Sequence, residues 1–236
     1  LLRGGVSAPV LRLAAWRGLF HVGAVVLWFF AMARLPVAEV VAIGYLNPVA
    51  VTLGAVVLFG ERFGRRHLVA GLAAVGGALV VLRPGIQAVM PGHLAQIGAA
   101  FCFAASYLAA RQLGRMVGPG TVVALMSAAV TIGLAPLALA VWVPPAAWQV
   151  AGLALVALFA TVAHYCMMRA FAAAPLSVTQ PVVFLQIVWA TLLGSLVFAE
   201  PVDPWVIAGG GIIVAAVSWL TWAETRARPV LPAAGI

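Results

Sequence analysis

Residues 31–59 read AMARLPVAEVVAIGYLNPVAVTLGAVVLF, and residues 170–198 read AFAAAPLSVTQPVVFLQIVWATLLGSLVF. Each begins with alanines, places a proline at the sixth position (Pro36, Pro175) and then continues almost without charge. An apolar run of about 20 residues, rising 1.5 Å per residue as a helix, covers about 30 Å of hydrocarbon. Pro36 and Pro175 suit the first turn of such a helix, where the missing N–H costs nothing. The two stretches are therefore predicted to be membrane-spanning helices.

The rest of the chain has the same character. Hydrophobic residues make up 65% and charged residues 8% of its 236 residues, too little charge to wet the surface of a soluble domain, which carries roughly 25%. Hydropathy predicts helices near 16–34, 37–59, 67–82, 94–113, 120–143, 148–172, 176–198 and 203–223. The breaks carry turn chemistry, as at Arg83-Pro84-Gly85, Gly118-Pro119-Gly120 and Pro144-Pro145. The expected class is an all-α integral membrane protein of about eight spans.

All thirteen basic residues are arginines, and eight crossings sort them unevenly. Arg3, Arg12, Arg17, Arg62, Arg65, Arg66, Arg111, Arg115, Arg169, Arg226 and Arg228 fall on one side, Arg34 and Arg83 on the other. By the positive-inside rule the larger set is cytoplasmic, as are both ends of the chain, in an inner-type membrane. The net charge of +8 follows from this topology and not from nucleic-acid binding, because the arginines are scattered over short loops without interleaved aromatics. Cys102 and Cys166 lie in apolar segments without CxxC spacing and read as small buried hydrophobes, so no metal or cofactor is expected.

The two opening stretches also match each other in one ungapped register, at an offset of 139 residues, that continues past them. Pro36 pairs with Pro175, Thr52 with Thr191, Phe59 with Phe198, Glu61 with Glu200 and Gly71 with Gly210. Threading makes the matched helices run in opposite directions, the signature of an inverted repeat whose halves rock around a midplane site. The offset also places the counterpart of the fourth helix about 45 residues before Leu1. Two further helices are thus expected upstream of Leu1, with a partial repeat at 1–85, a five-helix repeat at 92–224 and a cytoplasmic tail at 225–236.

Local strings carry a resemblance. Ala31-Met32-Ala33-Arg34-Leu35-Pro36, Asn47-Pro48, Gly60-Glu61-Arg62 and Leu82-Arg83-Pro84-Gly85, followed by Arg169-Ala170-Phe171, Ala174-Pro175, Gln180-Pro181, Trp189-Ala190 and Ala199-Glu200, resemble the EamA-type family of the drug/metabolite transporter superfamily. That resemblance implies ten helices in two inverted five-helix repeats, cytoplasmic termini and a central cavity. It also implies secondary transport of metabolites, amino acids, vitamins or drugs. A non-transporting scaffold is the alternative, and an enzyme is disfavoured because GxSxG, HExxH and paired intramembrane aspartates are missing.

Substrate is expected to meet polar groups deep in matched helices, where an unpaired amide in hydrocarbon is costly. Asn47 and Gln186 sit at the same repeat position, and Trp189 lies one turn beyond Gln186. Tyr107 and His164 complete the candidate set, from helices that the family uses to wall its cavity; a structural role for each is the competing reading. Pro48 and Pro181 interrupt helices and leave the carbonyls of Gly44 and Ser177 without a helical partner, as either static kinks or hinges. His21 lies near the cytoplasmic side, Glu39 reads as an interfacial carboxylate, and Glu61 and Glu200 read as helix caps or arginine partners. Gly71, Gly76, Gly77 and Gly209, Gly210, Gly211 predict that the third and last helices pack together. The partners implied are lipid and a small-molecule substrate. With one acid near an interface, coupling is to protons or by exchange.

Overall fold

A computed structural model describes residues 7–59, 64–83, 88–173 and 185–227. These form helices α1 (Ala8–Met32), α2 (Val37–Gly44), α3 (Leu46–Phe59), α4 (Arg65–Leu82), α5 (Pro91–Leu113), α6 (Pro119–Ala140), α7 (Ala147–Ala173), α8 (Leu185–Phe198) and α9 (Pro204–Ala227). Six are long and apolar enough to cross a membrane, and 37–51 and 188–198 form shorter apolar helices. Pro91, Pro119 and Pro204 each open their helix, as proline's fixed φ favours.

The bundle is sorted in the manner of a membrane protein. Buried positions are small, with Ala24, Ala31, Ala42, Ala74 and Ala99 fully enclosed, while Phe29, Val57, Trp148, Leu153, Phe159 and Leu196 point outward. Lipid tails solvate large apolar side chains as well as a core does, so helices associate through small residues that permit close approach. Gly18 lies against Ala129, Gly23 against Cys102, Gly98 against Leu27 and Gly133 against Val22, which ties α1 to α5 and α6. Gly77 and Gly209 meet backbone to backbone between α4 and α9. The expected pairing of the third and last helices is thus observed, although Gly71, Gly76 and Gly211 face open space.

Contacts along the helices define their directions. Val40, Asn47 and Gly54 meet Gln96, Ala100 and Leu108 in turn, so α2 and α3 run parallel to α5. Leu35 lies by Gly92, Leu27 by Gly98 and His21 by Ser106, so α1 is antiparallel to α5. Helices α4 and α9 are antiparallel, joined by Arg66 to the Ala223 carbonyl at 2.9 Å and by Arg83 to Asp203 at 2.5 Å. These directions agree with threading the chain back and forth through one slab.

One expected helix is divided. The stretch 37–59 breaks between Gly44 and Leu46, where the Tyr45 N–H donates to the Ala42 carbonyl at 3.2 Å. Pro48 explains the break: it supplies no N–H to the Gly44 carbonyl and its ring crowds that oxygen. Restarting at Leu46 puts Pro48 in a first turn, where it is tolerated. Pro136 lies inside α6, which continues through it. Pro181 and Glu61 lie outside the described residues.

Candidate functional site

Polar side chains gather at two levels of the bundle. The first lies among α1, α5, α6 and α7. Helix α1 starts at Ala8, so Arg17 is a helix residue about 14 Å from its start and not a loop arginine. It is 2% exposed. Its Nη1 donates to the Val122 carbonyl at 3.0 Å, its Nη2 approaches the Met126 sulfur at 3.1 Å, and its Nε–H is buried without a partner.

One turn further, on the same face of α1, His21 Nδ1 and Ser106 Oγ share a hydrogen bond at 3.1 Å. The His21 ring lies edge-on to His164 of α7, with centroids 5.9 Å apart, and to Phe103 at 5.3 Å; Phe103 in turn stacks with Tyr107 at 6.4 Å. Tyr107 and His164, chosen from the sequence, therefore belong to one cluster with His21, Ser106 and Arg17. Such a group can bind a polar solute through hydroxyl, imidazole and guanidinium groups and can stack a ring on Tyr107 and Phe103. No set of three or more potential metal ligands occurs among the described residues.

The second level lies at the opposite end. Glu39 Oε1 is 2.8 Å from His93 Nε2, and both side chains are buried. The Met90 N–H donates to His93 Nδ1 at 2.8 Å, which leaves the imidazole proton on Nε2, directed at the carboxylate. Glu39, expected at the interface, is thus a buried, paired group. Gln96 Nε2 donates to the Val40 carbonyl at 2.9 Å while its Oε1 is buried and unsatisfied. Glu200 Oε2 accepts the Val37 N–H at 2.9 Å and so caps α2, one of the two roles expected of it. Gly194 leaves the room this carboxylate occupies.

The remaining candidates are spread out. Asn47 Nδ2 donates to the Ala100 carbonyl at 3.3 Å, holding α3 to α5 just past the helix break. Ala100 and Tyr107, two turns apart, share a face of α5. Gln186 and Trp189 are exposed on α8, Trp189 to 63%, so neither is packed against Asn47. An apolar cleft bounded by Pro48, Leu53, His67, Val217 and Leu220 lies on the α3–α4–α9 side. Arg17 and Ser106 were missed in the sequence because Arg17 stands at the edge of the expected 16–34 helix, where it counts with the cytoplasmic arginines, and a serine carries no pattern. The signal that could have found them is the Arg17/His21 spacing, which sets two polar groups on one helical face.

The family model of the EamA-like transporter family matches residues 3–83 and 90–222. A riboflavin transporter of Vibrio cholerae is 29% identical over 204 residues, which is 85% of this chain and 68% of that protein. A riboflavin transporter of Rhizobium johnstonii is 27% identical over 84% of this chain and 66% of its own length. The pseudopaline exporter of Pseudomonas aeruginosa is 28% identical over 92% of this chain and 75% of its own length. A protein of known crystal structure superposes with a TM-score of 0.63 over 94% of this chain, at 23% identity, which shows a shared fold.

Proposed function

This chain belongs to the EamA-like transporter family, and on that premise we propose that it is a secondary active transporter, moving a small metabolite across the bacterial inner membrane by alternating access. Its relatives are named for riboflavin transport, pseudopaline export and S-adenosylmethionine uptake, which fits a chain that is a small-molecule carrier and not an enzyme. The observation that carries the proposal is the cluster of buried Arg17, His21 and Ser106 with the half-buried Tyr107 and His164, within a bundle whose exterior is apolar. Ionisable groups at such depth are costly in hydrocarbon and are kept for a solute path.

Two structural relations support an inverted repeat. The start of α2 lies against Glu200, just past the end of α8, so the matched helices run antiparallel. The arginine-rich ends of α1, α4, α5, α7 and α9 also alternate as eight crossings require, with that face cytoplasmic. Tyr107 and His164 form the centre of the proposed site. Asn47, Gln186 and Trp189 supply amides and an indole on the α3 and α8 side, where the exposed groups of α8 are open to a solute. Pro48 and Pro181 are the hinges. Coupling is to protons or by exchange.

The deciding experiment is counterflow in proteoliposomes, begun with labelled riboflavin and extended to S-adenosylmethionine. Saturable, trans-stimulated flux supports the carrier, whereas none for any metabolite tested supports a non-transporting scaffold.

A further inference from the structure

We propose that Arg17 is the anchor for a carboxylate on the solute this protein binds, an inference that rests on the carrier reading and narrows its substrate to small organic carboxylates. A guanidinium keeps its charge in proteins and cannot escape burial by losing a proton. At 2% exposure, Arg17 should therefore have an anionic partner. Of the acids whose side chains are described, none reaches it: Glu39 engages His93, Glu200 the Val37 N–H, and Asp203 engages Arg83. All three lie at the far end of the bundle, level with Ala31 and Leu35, about 20 Å along α1 from Arg17.

What Arg17 does touch is weak. One bond goes to a backbone carbonyl, and the other to the thioether of Met126, a poor acceptor. Both contacts lie in the first turns of α6, whose N-terminal end adds positive potential to the same spot. The buried Nε–H has no partner, and with the neighbouring Nη2–H it forms the side-on edge that matches the two oxygens of a carboxylate. The same locus presents Ser106, Tyr107 and the two imidazoles of His21 and His164, which suit the rest of a small polar molecule. A residue that only held helices together would show the reverse, with every donor satisfied by protein.

The test is melting of the purified full chain, followed by tryptophan fluorescence, in acetate, succinate or citrate against sodium chloride at equal ionic strength and pH. The wild type should be stabilised by at least one carboxylate in a saturable manner. Arg17→Met should melt higher than wild type in chloride, because an unpaired buried charge has been removed, and should lose the carboxylate response. Arg17→Lys should keep the charge but respond at least about tenfold more weakly, having lost the bidentate edge. Three results would each overturn the inference: no carboxylate-specific shift in wild type, a larger shift with inorganic phosphate than with any carboxylate, or Arg17→Met melting lower than wild type in chloride. Should Arg17→Met fail to fold, an unchanged response in Arg17→Lys would overturn it equally. Counterflow separates the two readings. An Arg17-dependent shift without flux in wild type upholds the anchor and removes the carrier, while carboxylate flux unaffected by Arg17→Met upholds the carrier and removes the anchor.

Discussion

Two glycines of α4 should respond oppositely to the same added methyl group. A Cβ on Gly77 would lie 2.6 Å from the Gly209 carbonyl oxygen and 2.7 Å from Ile213 Cγ1, whereas a Cβ on Gly71 would meet nothing within 4 Å. Ile213 can change rotamer, but the Gly209 oxygen belongs to the backbone of α9. Relief to an ordinary contact at about 3.4 Å demands a shift of about 0.8 Å between two close-packed helices, and overpacking of this kind costs about 1–3 kcal/mol. At Gly71 the methyl costs nothing sterically and removes the entropic penalty of a helical glycine, worth roughly 0.5–1 kcal/mol. Gly77→Ala is therefore expected to melt several degrees lower than wild type in detergent, and Gly71→Ala at or slightly above it. Gly209→Ala should resemble Gly77→Ala, since its Cβ would lie 2.5 Å from the Gly77 oxygen and 2.6 Å from Val81 Cγ2. Differential scanning fluorimetry of the three variants decides the matter. Equal melting of Gly77→Ala and Gly71→Ala would refute the backbone contact between α4 and α9.

Other consequences can be checked in the same assays. His93→Ala leaves the buried Glu39 carboxylate without its 2.8 Å partner and should cost about 3–5 kcal/mol, whereas Glu39→Gln keeps an acceptor for the Nε2–H and should cost about 1 kcal/mol; similar losses would mean the pair is solvated. Asp203 both pairs with Arg83 and accepts the Trp205 N–H at 2.9 Å as the cap of α9, so Asp203→Ala should cost about 1–2 kcal/mol, and added salt should remove only the smaller, ion-pair share. Cysteines placed at residue 202 and at residue 64 in intact cells should label with an impermeant maleimide at 202 only; the opposite pattern would reverse the assigned orientation. Asn47→Leu removes the bond to the Ala100 carbonyl and should cost about 0.6 kcal/mol, and a much larger loss of transport than of stability would mark the amide as substrate-binding.

Much of this molecule was legible before any coordinates. Apolar runs of span length, their turn residues and the arginine asymmetry are local, one-dimensional signals, because a bilayer imposes the same demand on every crossing: about 20 apolar residues and satisfied backbone bonds. That is why helix positions, the membrane class and the family resemblance were readable, and why Pro48 already marked the place where 37–59 divides. The close pairing of α4 and α9 was also readable, since only glycines permit that approach.

The site was not legible in the same way. Arg17, Ser106, His93 and Gln96 are single polar residues on separate helices, and no local pattern says which of their faces meet. Packing decides it. The antiparallel seating of α1 on α5 carries His21 to Ser106, and the parallel run of α2 beside α5 carries Glu39 to His93. Gln186 and Asn47 share a position in the 139-residue sequence self-match, yet Gln186 lies on an exposed face and Asn47 against α5, because matching positions in a sequence need not share neighbours. Composition and periodicity thus determined that the chain folds as membrane helices and roughly where most of them lie, although α1 begins at Ala8 and not near residue 16. Only the tertiary structure decided which buried charges are paired, because pairing depends on distances across helices that lie far apart in the chain.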